Sequence, residues 1–162
     1  MIILGLDPGT AITGYGVIEI NGNRYKALDY GCINTKAGLP MPERLEKIYR
    51  GVCQLLEQAT PDEVAIEELY FNTNATTAIS VGQARGVIML AAAQKGLPIG
   101  EYTPLQVKQA MVGYGRADKK QIQYMVTSFL KLPSPPKPDD AADALAIAIC
   151  HAHYNTTKVL RG

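Results

Sequence analysis

Tryptophan is absent from the 162 residues, phenylalanine and histidine occur twice each, and cysteine occurs three times. Cys32, Cys53 and Cys150 stand far apart with no Cys-x-x-Cys pair. Neither a disulfide framework nor a zinc knot is expected, and the pattern fits buried, inert thiols in a reducing cytoplasm. Long apolar runs are missing too. The longest, Val87–Ala93 and Ala144–Cys150, fall far short of the roughly 18–20 residues of a membrane span, so no membrane partner is expected. Met1–Leu6 carries no basic leader, and no secretory signal is expected there. Finally, charge of either sign is not in excess. Sixteen Lys and Arg against fifteen Asp and Glu leave +1, which excludes an argument for nucleic acid from net charge but not from the placement of charges.

With 47% apolar and 19% charged residues, the chain reads as one globular domain, residues 1–156, with a short tail at 157–162. Met1–Asp7 is a strand ending in the turn Pro8-Gly9-Thr10. Gly14–Asn21 alternates as a second strand, Asn21-Gly22-Asn23 is a hairpin signal, and Arg24–Thr35 forms a third strand. Beyond Pro42, Leu45, Ile48, Tyr49, Val52, Leu55 and Leu56 repeat with helical spacing. Glu63–Glu67 is a fourth strand, a helix runs from about Ala75 to Lys95, and Ile99–Thr103 is a fifth strand. Shorter helices near Pro104–Val112 and Asp118–Leu130, a loop at Pro133–Pro138, and a last helix at Asp139–His153 complete the chain. The order predicts an α/β fold: a mixed five-stranded sheet, an antiparallel meander plus two parallel strands, flanked by helices.

Four acids occupy places that call for explanation. Asp7 ends an apolar strand, Glu67 ends another, and Asp140 and Asp143 lie three apart in the first turn of the last helix, hence on one face. Singly, each has an ordinary reading as a turn former or helix cap, with Asp139 beside them. Together they read differently, because the first and fourth strands should be sheet neighbours. Adjacent carboxylates repel unless they share a cation. With no Cys or His nearby, the oxygen-only set points to Mg²⁺ or Mn²⁺. Four carboxylates match two divalent ions, and two such ions suit in-line hydrolysis of a phosphodiester.

The segments Ile3-Leu4-Gly5-Leu6-Asp7-Pro8-Gly9-Thr10 and Thr13-Gly14-Tyr15-Gly16 resemble the opening of RuvC-type Holliday junction resolvases. Ala65-Ile66-Glu67, Gly82-Gln83-Ala84-Arg85-Gly86, Gln106-Val107-Lys108-Gln109 and Asp140-Ala141-Ala142-Asp143-Ala144-Leu145-Ala146 continue the resemblance in order, from about Ile2 to His153. It implies a ribonuclease-H-like fold and a homodimeric, Mg²⁺-dependent endodeoxyribonuclease with two ions per subunit. Such an enzyme resolves four-way DNA junctions by paired symmetric nicks in recombination and repair, in a pathway with a branch-migration complex. Asp7, Glu67, Asp140 and Asp143 fall on the family's catalytic carboxylates. Lys108 and Lys119 match lysines close to the scissile phosphate, and Tyr70 matches an aromatic.

The residues themselves allow a DNA face. Lys108, Arg116, Lys119 and Lys120 cluster around Gly113-Tyr114-Gly115 with one acid, Asp118, among them; they read either as a solvated surface or as phosphate contacts. Arg85 is a further phosphate candidate. Tyr70 and Phe71 are adjacent, so one ring must leave the core side of an extended segment and is free to stack on an unpaired base. His151 and His153 read as helix-end residues without chemical work. The 75–95 helix is apolar on several faces, including Ala78, Val81, Gly82, Arg85, Gly86 and Met89 on one side, which suits burial or a two-fold partner. A nuclease for RNA–DNA hybrids shares the carboxylate logic without needing a symmetric dimer. A sugar kinase or actin-like ATPase needs a longer chain, and a DNA-binding module without catalysis has no use for the complete acidic set.

Overall fold

Turns set the course of the first three strands. In the computed structural model, which describes residues 1–68 and 75–161 and side chains up to residue 155, β1 (Ile2–Asp7) leads through the 8–11 turn into β2 (Ile12–Asn21). Gly22, at φ +59, supplies the left-handed step that folds β2 back on β3 (Arg24–Asn34). Both pairings are antiparallel. The chain then alternates: α1 (Met41–Ala59), β4 (Glu63–Glu67), α2 (Ala75–Gln94) and β5 (Ile99–Tyr102), followed by α3 (Pro104–Val112), α4 (Lys119–Phe129) and α5 (Asp139–Arg161). β4 pairs parallel to β1, and β5 parallel to β4. The sheet order β3-β2-β1-β4-β5 is the predicted mixed sheet and the ribonuclease-H-like arrangement.

Alternation along β1 divides the core into two layers. Leu4 and Leu6, with Val17, Val64 and Ile66, pack on Ile48, Val52, Ala84 and Ile88 of α1 and α2. Ile3, Ile18 and Ala65 face α3, α4 and above all α5, where Ala141, Ala144, Leu145 and Ala148 are buried completely. Small side chains on α5 and glycines on the strands beneath it let this helix lie close to the sheet centre. A bulge between Val17 and Ile18 leaves Leu28 of the edge strand without a partner residue.

The last helix corrects one expectation. It continues to Arg161 rather than ending near His153, so the two histidines are interior residues of a long helix. His151 is buried; its Nδ1 meets the Tyr102 hydroxyl at 2.7 Å, and its Nε2 meets the Glu63 carboxylate. Asn155 donates to the same carboxylate at 2.7 Å. This network ties α5 to β4 and β5, at the end of β4 remote from Glu67, so His151 braces the fold. His153 meets the Ala110 carbonyl at 3.2 Å, and burial lowers its pKa from the ordinary value.

Candidate active site

Backbone spacing assembles the acidic centre. Asp7 closes β1 opposite Gly14 of β2. A Cβ at Gly14 would stand 2.0 Å from the Asp140 carbonyl oxygen, and one at Gly5 would stand 2.2 Å from that of Ala144. Both glycines lie on the face covered by α5, so its first turns rest on bare backbone beside Asp7. Asp7, Asp140 and Asp143 each bring a carboxylate oxygen within 4.8 Å of the others. Glu67 follows Ile66, which pairs with Leu6 in parallel register, so Glu67 and Asp7 end neighbouring strands side by side.

The electrostatics follow from this crowding. Burial pushes the Asp7 carboxyl up to about 8, assisted by the charges of Glu67, Asp143 and Asp140 and by a hydrogen bond with Glu67. Glu67 is raised by burial and by Asp143, against the opposing effects of its bond with Asp7 and the Lys108 charge. Asp143 is raised mainly by burial, opposed by Lys119. Four carboxyls gathered this way, two of them hydrogen-bonded to each other, form an oxygen-only donor set whose ionised state is costly without a cation. The set fits Mg²⁺ or Mn²⁺ and offers no nitrogen or sulfur to favour Zn²⁺. The same field reaches Cys32, across from Gly14 on β3, whose thiol is pushed up to about 11 by burial and then by Asp140 and Asp7.

Both catalytic-lysine candidates stand beside this centre. Thr103 and Gln106 form a capping box that starts α3, and Lys108 follows in its first turns, where its charge acts on Glu67. Asp118 and Gln121 form another at α4. Lys119, its first residue, reaches Asp139 at 3.5 Å and Asp143 at 3.7 Å, and Asp143 raises its pKa from the ordinary value. Asp139, the first residue of α5, accepts from Gln123 at 3.0 Å and steadies Lys119 at the rim.

The remaining candidates fall in different places. Arg116 and Lys120 are exposed near Lys119. Arg85 is mostly buried, with 16% of its side chain exposed; its Nε donates to the Glu67 carbonyl at 3.1 Å and its guanidinium pairs with Glu101. It braces the end of β4, and that engagement is what a phosphate would have to break. Tyr70 and Phe71 lie outside the described residues. Sequence reasoning did not find the close-approach role of Gly14, although glycines at 14 and 16 inside an otherwise good strand are the signal for it. It also missed a set of hydrogen bonds around the 8–11 turn. Thr13, fully buried, donates to the Gly9 carbonyl at 2.7 Å, and Thr35 donates to the Thr10 carbonyl.

Gly14→Ala tests the assembly directly. The added methyl pushes the first turn of α5 away from β2 and moves Asp140 relative to Asp7. Displacements of about 1 Å at a reacting centre cost about a hundredfold in rate. Cleavage is expected to fall by at least that factor, with a lowered melting temperature; wild-type activity would show that the close approach is not needed.

Comparison with known proteins agrees with this geometry. Residues 3–151 match the family model for crossover junction endodeoxyribonuclease RuvC. The crossover junction endodeoxyribonuclease RuvC of Desulfitobacterium hafniense is 65% identical over 153 residues, 94% of this chain and 93% of the relative. That of Desulforamulus reducens is 59% identical over 157 residues, 97% of this chain and 96% of the relative. Among solved structures, Thermus thermophilus RuvC in complex with a Holliday junction substrate superposes with a TM-score of 0.93 at 36% identity, covering 98% of this chain and 96% of that one. The likeness runs through every described segment that builds the acidic centre and extends well beyond shared fold: the chain belongs to the RuvC family of crossover junction endodeoxyribonucleases.

Proposed function

We propose that this chain resolves four-way DNA junctions by metal-assisted phosphodiester hydrolysis, cutting two strands symmetrically during recombination and repair. The observation that carries the reading is the convergence of Asp7, Glu67, Asp140 and Asp143 at one end of the central strands, with Lys108 and Lys119 beside them. The four carboxylates hold Mg²⁺, two ions per subunit, with Mn²⁺ as the alternative. When bound, the ions supply Lewis-acid charge to the attacking and leaving oxygens. Water adds to phosphorus, one P–O ester bond breaks, and Lys119 and Lys108 offset charge growing on the phosphoryl oxygens. Lys108, Arg116, Lys119 and Lys120 serve as phosphate contacts; Tyr70 and Phe71 are proposed to stack on bases unpaired at the crossover, and Arg85 acts first by holding β4.

Paired nicks call for paired sites, and α2 offers the surface for a second copy. Ile79 and Leu90 are 62% and 51% exposed, and with Gln83 and Gly86 they form a stripe at spacings of four, three and four. This is not the side marked by Ala78 and Arg85, which turn inward. Among the described residues nothing lies within 4 Å of where a Cβ at Gly86 would stand, so packing among them gives no reason for a helix-weakening glycine there. A close two-fold crossing supplies one. Ile79→Arg and Leu90→Arg should each give monomers in sedimentation equilibrium and replace paired nicks by slow single ones. A wild-type chain that sediments as a monomer at all concentrations sinks the interface. Among the described residues no helix is long and apolar enough to cross a membrane; the proposed place of work is the cytoplasm, alongside the branch-migration complex.

Nick mapping on a synthetic four-way junction with Mg²⁺ tests the whole reading. Two nicks at symmetry-related positions are expected, with no cutting after chelation of the metal. An intact junction beside a degraded RNA–DNA hybrid would overturn it in favour of a hybrid nuclease.

A further inference from the structure

Arg44, near the start of α1, is half-buried, yet among the described residues it has no carboxylate within 4.0 Å. Its Nε donates to the Thr35 hydroxyl at 2.8 Å. That hydroxyl gives its only proton to the Thr10 carbonyl, so its lone pairs are held ready for Nε and the guanidinium is fixed in one orientation. Thr35 is itself buried, and its backbone N–H donates to Ala11 at 3.0 Å. The two terminal nitrogens of Arg44 carry no hydrogen bond among the described residues, and neither is sealed from solvent. A partly desolvated guanidinium with one anchored N–H, no counter-charge and an open fork is prepared for an anion from outside, and the fork matches two phosphate oxygens.

Topology says where that anion lies. Thr10 is three residues past Asp7, at most about 10 Å along the chain, and Arg44 is two hydrogen bonds further. Thr35 follows β3 at one edge of the sheet, whereas Lys108 follows β5 at the other edge, with Asp7 and Glu67 between them. Lys108, Arg116, Lys119 and Lys120 come from the α3 and α4 side, and Arg85 of α2 is engaged by Glu101 and the Glu67 carbonyl; Arg44 is a cation of the opposite side.

We infer that Arg44, oriented by Thr35, grips a backbone phosphate of the DNA strand on the β3 side of the acidic centre, one or two nucleotides from the scissile position. The inference rests on the proposed reading of the substrate as junction DNA. Binding of a labelled four-way junction by full-length protein, measured by anisotropy in Mg²⁺ across a range of KCl, tests it in an Asp7→Asn background that keeps the DNA whole. Adding Arg44→Gln should weaken binding about tenfold and reduce the slope of log affinity against log salt by about one, the signature of one lost phosphate contact. Arg44→Lys keeps the charge and therefore the slope, but loses part of the affinity with the fork. Thr35→Val frees the guanidinium, keeping the slope with a several-fold loss of affinity, and Thr35→Ser restores the parent value. An unchanged affinity in Arg44→Gln, or a loss with an unchanged slope, overturns the inference: the first means no contact, the second a brace for the 8–11 turn. Failure of the Asp7→Asn parent itself to bind junctions, or of the wild type to cut them, removes the proposed function and this inference with it.

Discussion

Asp7→Asn and Glu67→Gln should each reduce junction cleavage by about a thousandfold or more, equivalent to about 4 kcal/mol of transition-state stabilisation, while junction binding persists. Both variants preserve the shape of the side chain. What each removes is one negative charge from a set of four that crowds around a shared proton, and hence one of the proposed metal ligands. Neither acid is part of the basic surface: Lys108, Arg116, Lys119 and Lys120 remain, and DNA meets less negative charge in the variant than in the wild type. Gel-shift or anisotropy with an intact junction should therefore show affinity equal to or above that of wild type, beside absent nicks. Cleavage within tenfold of wild type would take Asp7 or Glu67 out of the chemistry. Lost binding in a folded variant would mean that the carboxylates organise the DNA surface instead.

Much of this site is legible in the sequence, and the physical reason is local. Glu63–Glu67 and Pro104–Val112 are bounded by turn and cap residues within a few positions, and the strand and helix observed there have those same ends. Asp7 and Glu67 become neighbours once strand order is given, and Asp140 and Asp143 share a face once the helix is given. What was hidden depends on contacts between distant segments. Arg85 looks like a free cation in sequence because Glu101 and the Glu67 carbonyl, its partners, come from β5 and β4. His151 looks like a terminal residue because nothing in Asn155-Thr156-Thr157 announces that the helix continues, and its partner Glu63 is 88 positions away. The α2 helix is apolar on more than one face, so periodicity alone could not choose the side bearing Ile79 and Leu90. Arg44 is hidden in the sequence for a related reason. It sits in an amphipathic helix whose charges look ordinary until Thr35 and Thr10 are folded against it.

Without metal, the wild-type protein should lose stability as pH rises from about 5 to 8, and Asp7→Asn should show only the smaller loss that the raised Glu67 and Asp143 carboxyls contribute. The Asp7 carboxyl binds its proton with a pKa raised from 3.8 to about 8 in the folded chain. Between those values the folded state retains a proton that the unfolded state has released, so stability falls with pH by at most about 1.4 kcal/mol per unit for this one group. Above pH 8 both states are ionised there and the slope vanishes; below about pH 4 both are protonated. Asp7 is partly open to solvent, so the accumulated cost at pH 8 is a few kcal/mol rather than the full product. His153 contributes with the opposite sign, since burial lowers its pKa from the ordinary value, and subtracting the Asp7→Asn profile from that of the wild type cancels it. Near pH 8 in chelator, Asp7→Asn should therefore melt roughly 5 °C or more above wild type, as about 2 kcal/mol moves the midpoint of a domain this size. Added Mg²⁺ should close or reverse the gap, because a ligand at about a hundred times its dissociation constant adds about 2.7 kcal/mol only where its site is intact. Calorimetry at several pH values, with and without metal, reads all of this. Parallel wild-type and variant profiles would mean that the acidic centre carries no stored charge repulsion, and a variant stabilised by Mg²⁺ as much as wild type would mean that Asp7 does not hold the ion.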